Sequence, residues 1–187
     1  EDRRKAILKA ASQCFVKDGF HGTSMKDVCV VAGMSPGTLY HYFSSKTEII
    51  AGIVANEAGI TRQLLTPLHS GPMFLDALFD VLEIVAHKVT DDDLALHTEI
   101  AAEILREPQL RKQRQTFDRE TLALITQSIA RAQDRGEIDS QLKSDHAAKL
   151  VLAIIDGLLW HTTLDGVRNL KLYLPAVKQA LARILLE

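Results

Sequence analysis

Apolar residues recur at spacings of three and four along almost the whole chain, and no stretch shows the strict alternation of a half-buried strand. That period admits helices and little else, so the expected fold class is all-α. Ile7, Ala11 and Phe15 share one face of a first helix, which should stop at Lys17-Asp18-Gly19, where glycine supplies a left-handed end. Thr23 and Ser24 cap a second helix that turns Met25, Val28, Cys29 and Ala32 inward and ends at Gly33. Ser35 caps a third, with Pro36 at its first position, where a missing N–H costs nothing, and with Leu39, Tyr42 and Phe43 facing the core. Ser44-Ser45 opens a longer helix, Glu48 completing a capping box and Ile49, Ile50, Ile53 and Val54 following, to about Leu65. Thr66-Pro67 and Ser70-Gly71-Pro72 read as a breaker.

Beyond it, Phe74, Leu78, Phe79, Leu82 and Val85 mark one helix, and Asp91 to Asp93 begin another that carries Leu94, Ile100, Ile104 and Leu105. Pro108 starts a long helix through Phe117, Leu122, Ile125 and Ile129, stopped at Arg135-Gly136; residues 145–164 and 170–186 form two strongly apolar helices. The count is about nine, divided as a small front domain, 1–47, and a larger helical bundle, 48–187.

Composition removes several classes. With 187 residues, 47% hydrophobic and 25% charged, the chain can bury the core of one or two compact domains. No apolar run is expected to reach the ~20 residues of a bilayer span, so no membrane partner is expected. Cys14 and Cys29 form no CxxC pair, which excludes a disulfide scaffold or zinc finger. The chain opens at Glu1 with no charged-then-apolar export signal, so a cytoplasmic location is expected, with some N-terminal residues missing. No GxGxxG, GxSxG, HExxH or P-loop occurs, and Glu83 to His87 is one residue too long for the Glu-x-x-His pair of a di-iron bundle. Neither an enzyme nor a cofactor is expected.

The net charge of −2 conceals an asymmetry: residues 1 to 50 hold seven Lys/Arg against five acids, a net +2, which leaves −4 for the rest. Two short helices joined by a tight glycine-containing turn, behind a basic first helix, have the layout of a helix-turn-helix, although such trios also occur in helical domains that bind nothing. The third helix would show Ser35, Gly37, Thr38, Tyr40 and His41 outward, all small or hydrogen-bonding groups suited to a major groove. Gly37 would allow close backbone approach, Thr38 and Tyr40 could donate to phosphates, and His41 could reach a base edge or a phosphate. Thr23 and Ser24, with the free N–H groups of the helix they start, form a phosphate clamp, and Lys46 adds a charge.

The run Gly19-Phe20-His21-Gly22-Thr23-Ser24, then Gly33-Met34-Ser35-Pro36-Gly37-Thr38-Leu39-Tyr40-His41-Tyr42-Phe43-Ser44-Ser45-Lys46, resembles the DNA-binding domain of TetR-family transcriptional regulators over residues 4 to 55. The resemblance implies a homodimer that places two third helices in successive major grooves of a palindromic operator, repression as the common mode, and a small-molecule effector in the rear domain. Carried over, it assigns phosphate contact to Thr23, Tyr40 and Lys46 and base or backbone contact to Ser35, Pro36, Gly37, Thr38 and His41, with Tyr42 beside them. Of the family's basic arm only Arg3, Arg4 and Lys5 are present.

Two very apolar C-terminal helices cannot both bury every face in a small subunit, and a large exposed apolar patch marks an interface. Leu150, Ile154, Leu158, His161, Thr162, Leu174, Val177, Leu181 and Ile184 are the expected dimer residues, with Gly157 allowing close approach. The helices that surround the family's cavity carry Phe74, Phe79, His87, His97, Glu99, Phe117, Asp118 and Trp160, the expected effector contacts. Other readings of the same chain are control by a metal ion, through His87, His97, Glu99 and Glu103, or by a protein partner.

Overall fold

The computed structural model describes residues 2–71 and 73–186, and among them every regular element is a helix: α1 Asp2–Gly22, α2 Met25–Ala32, α3 Pro36–Tyr42, α4 Lys46–Ser70, α5 Phe74–Lys88, α6 Asp91–Arg106, α7 Pro108–Asp134, α8 Ser144–Asp165 and α9 Val167–Leu186. Three helix ends differ from expectation. Helix α1 does not stop at Gly19 but kinks there, at φ 72° and ψ 164°, and makes one more turn to Gly22. Helix α4 runs through Pro67 to Ser70. The proline falls in the last turn, where only the bond to the Gln63 carbonyl is lost and few residues follow, so the helix continues past it; the Thr66 and Ser70 hydroxyls donate to the Arg62 and Thr66 carbonyls at 3.0 and 3.1 Å. Pro72 of the expected breaker lies outside the described residues. Helix α9 begins three residues early, because the Asp91 carboxylate accepts the Val167 N–H at 3.0 Å just after Gly166, whose φ is 86°.

The caps follow the side chains. Ser24 and Asp27 form a reciprocal box at the start of α2, and the Ser24 hydroxyl and N–H hold the Asp27 carboxyl below its ordinary pKa. At α4 the box is offset by one residue: Ser45 Oγ accepts the Glu48 N–H, whereas Glu48 Oε2 accepts the N–H of Ser44 at 2.6 Å. Helix α5 has no cap from its own N-cap residue, and Glu137, a residue of the α7–α8 connection, accepts the Phe74 N–H at 2.8 Å instead.

Packing divides the chain into two compact units. The first holds residues up to Gly59 together with Ala95–Thr116; the second holds Ile60–Leu94 and the chain from Phe117 on. In the first, Ile7, Phe15, Leu39, Phe43, Ile49 and Ile50 form a core with Leu96, Ile100, Ile104 and Leu110 from α6 and α7. In the second, Leu68, Phe74, Leu78, Ile125, Ile129, Val151, Leu181 and Leu185 are buried together. The expectation that no run is apolar enough for a bilayer fails at α8, which passes by length and composition. Its Ala147, Ala148 and Val151 are nevertheless built into the second unit's core.

Candidate nucleic-acid interface

A seven-residue helix such as α3 is too short to persist alone, and three local features hold it. Ser35 Oγ accepts the Thr38 N–H at 3.2 Å, Pro36 pre-sets the first φ, and Leu39 is fully buried. What remains outward is Ser35, Pro36, Gly37, Tyr40 and His41, with Thr38 and Tyr42 half-buried. Tyr40 is 53% exposed, and the His41 ring meets Tyr42 edge-on at 5.3 Å. Seven of the ten expected DNA-facing residues therefore lie along one short helix and its cap. Gly37 has a negative φ, and a Cβ there would meet only Ser35 Oγ, at 3.9 Å, an ordinary contact, so nothing in folding demands glycine there.

The other three behave differently. Ser24 is exposed, but its hydroxyl is engaged with Asp27. Thr23 is only 3% exposed, and its hydroxyl donates to the Gly19 carbonyl at 2.9 Å, so its side chain serves the turn and is not free for a phosphate. The Lys46 ammonium donates to the Phe20 carbonyl and, at 2.5 Å, to that of Thr23, and stands 4.4 Å over the Phe20 ring. That clamp closes the end of α1, where orphan carbonyls attract a cation. Arg3, Arg4 and Lys5 form no extended arm: they belong to α1, and Arg4 lies 5.1 Å over Phe43. Gly52 makes this contact possible, since a Cβ there would come within 2.9 Å of Leu8 and Phe43.

Among the expected effector contacts, the structure gathers few. Phe74 is core. Phe79 packs against that core under the Lys178 ammonium, which also pairs with Glu83 at 2.7 Å and holds that carboxyl below its ordinary pKa. His87 bonds back to the Glu83 carbonyl at 2.8 Å. Asp118 and Trp160 are exposed. His97 and Glu99 fall in the first unit, where Glu99 Oε2 accepts the Phe20 N–H at 3.0 Å. Phe117, with Arg62, Leu65 and Leu124, lines a cavity of about 20 Å³, room for a water but not for an organic effector. Sequence reasoning missed two orphans in the second unit: His69 Nδ1 and Thr126 Oγ1 are buried without a hydrogen-bond partner, a signal that only packing reveals. Among the described residues, no group of three His, Cys, Asp or Glu is placed to hold a metal ion.

The expected dimer residues split in the same way. Leu174, Leu181 and Thr162 are buried within the chain itself and cannot form an exposed face. Ile154, Leu158, Val177 and Ile184 are half-buried, and only Leu150 and His161 are exposed. The open face runs through Leu150, Ala153, Trp160 and Leu164, with the half-buried Gly157 among them, at alternating spacings of three and four along α8, and Leu172 and Tyr173 are exposed on α9. That spacing was legible in the sequence.

Comparison with known proteins bears on the whole chain. Residues 7–53 match the model of bacterial regulatory proteins of the tetR family, and residues 76–186 that of the C-terminal part of BetI-type transcriptional repressors. The HTH-type transcriptional regulator UidR of Escherichia coli is 31% identical over 156 residues, 83% of this chain and 79% of the relative. TtgR of Pseudomonas putida, also an HTH-type transcriptional regulator, is 25% identical over 89% of this chain and 84% of its own. The structure of Salmonella enterica GusR superposes with a TM-score of 0.80 at 32% identity, covering 98% of this chain and 95% of that one. A complex of SmeT with triclosan, at 21% identity, covers 96% of this chain and 91% of its own with a TM-score of 0.78 and shares the fold. These relatives are regulators, not enzymes, and the chain belongs to the TetR family of DNA-binding transcriptional regulators, with a BetI-type C-terminal part.

Proposed function

We propose that this protein is a homodimeric repressor that reads a palindromic operator through α3 and releases it when a small molecule binds. In this reading residues 1–47 read DNA and 48–187 sense and pair, in the cytoplasm. The single observation that carries it is the outward face of α3, where Gly37 is kept at a position whose backbone any residue could adopt. Glycine gives up more backbone freedom on folding than alanine would at this first-turn position, and its presence fits a backbone that must approach another surface closely. Thr38, Tyr40 and His41 supply hydrogen-bonding groups beside it.

The test follows from that sign. Gly37→Ala should raise the melting temperature slightly and lower the affinity for a duplex selected by the wild-type protein from a random library, scored against shuffled DNA at two salt concentrations. Equal affinity in the variant would remove the close approach from the reading.

Pairing is supported by the open α8–α9 face. The chain's single tryptophan, Trp160, stands on it at 58% exposure, beside Leu164 at 73%, and burying such a stripe against a second copy removes it from water. Leu164→Glu should give a monomer by sedimentation, with Trp160 emission shifted to the red relative to the wild type; a dimer that persists would place the interface elsewhere. The effector reading is supported by the two buried orphan atoms, His69 Nδ1 and Thr126 Oγ1, which a polar group of a bound molecule would satisfy.

A further inference from the structure

The Phe20 peptide group is held at both ends by charged side chains. Its N–H donates to Glu99 Oε2 of α6 at 3.0 Å, and its carbonyl accepts from Lys46 of α4. The N–H is available because Gly19, at φ 72° and ψ 164°, leaves helical geometry one residue earlier. Lys46 also takes the Thr23 carbonyl, and Glu103, one turn beyond Glu99 on α6, is buried against Arg106 and reaches His21 Nε2 at 3.2 Å. The turn from which α2 departs is thus fastened by a carboxylate and an ammonium from outside α1 and α2. All of these residues lie in the first packing unit.

We propose that Glu99, together with Lys46, is a positioning residue of the DNA reader: it touches no DNA, and it fixes the α1–α2 turn and so the angle at which α2 and α3 are presented. This rests on the DNA-binding reading above. The role is separable from ordinary electrostatics by sign. Removing a negative charge beside a DNA-binding surface raises affinity for every duplex alike, because less repulsion opposes the phosphates. Removing a positioning bond lowers affinity only for the duplex whose contacts need the right geometry.

The experiment compares wild type, Glu99→Ala and Glu99→Gln by affinity for a wild-type-selected duplex, affinity for shuffled DNA, and hydrogen exchange at the Phe20 amide. For Glu99→Ala, selected-duplex affinity should fall about tenfold, the scale of one hydrogen bond to a charged group, while shuffled-DNA affinity holds or rises. Phe20 exchange should quicken by about tenfold on the same scale. Glu99→Gln, whose amide oxygen can still accept, should restore most of the selective binding. Should Glu99→Ala fail to fold, Glu99→Asp, which withdraws the carboxylate by one methylene, carries the same comparison. Selected-duplex affinity that is unchanged or rises with that for shuffled DNA overturns the proposal, as does unchanged Phe20 exchange. A wild type that selects no duplex at all overturns the DNA-binding reading, and this role with it; because that result concerns the wild type, the two failures cannot be confused.

Discussion

Leu39→Ala is expected to abolish selective DNA binding at physiological temperature. Helix α3 has seven residues, far below the ~12–15 at which an isolated helix becomes marginally stable, so its order is borrowed from packing. Leu39 is its one fully buried side chain and sits in the first unit's core with Phe15 and Ile49. Truncating such a leucine costs about 2–5 kcal/mol, partly for lost burial and partly for the cavity left behind, which is a large share of the ~5–15 kcal/mol of a typical domain. A melting curve by circular dichroism and binding to the selected duplex check it together. Leu39→Met, which nearly conserves volume, should cost under about 1.5 kcal/mol and keep binding. Unchanged melting in the alanine variant would mean that α3 is not anchored by this residue.

Gly19→Ala should destabilise the protein by about 1–3 kcal/mol, and by its backbone alone. A Cβ at this position would meet Glu99 Oε2 at 3.6 Å, an ordinary contact, so crowding is not the cause. The cost arises because φ 72° with ψ 164° is a region that side-chain-bearing residues scarcely enter. Gly33 provides the comparison: its φ 63° and ψ 33° are left-handed helical, where asparagine is tolerated. Gly33→Asn should therefore melt close to wild type and Gly19→Asn well below it. Equal melting of the two variants would show that the α1 kink relaxes without penalty.

Much of the fold was legible because its signals are local. Ser24, Gly33, Ser35 and Pro36 bound α2 and α3 at the residues expected, since a cap hydroxyl, a left-handed glycine and a first-turn proline each act within one helical turn. Pro67 misled for the same reason: a proline reads as a stop from sequence, but in a final turn it removes a single intrahelical bond and is accommodated. The candidate DNA face was legible along α3. Thr23 and Lys46 were not, because which way a threonine or a lysine turns depends on carbonyls that a kink at Gly19 brings near.

The sequence alone therefore determined the helices, their caps and the polar outer face of α3, all products of periodicity and of chemistry between residues a few positions apart. Only the tertiary structure decided that Glu99 serves the Phe20 amide 79 residues away, that Leu174 and Leu181 face inward, and that Trp160 and Leu164 face out. The physical reason is that an amphipathic period shows that a helix has an apolar side, whereas which apolar side is covered is set by the neighbours against which each helix packs.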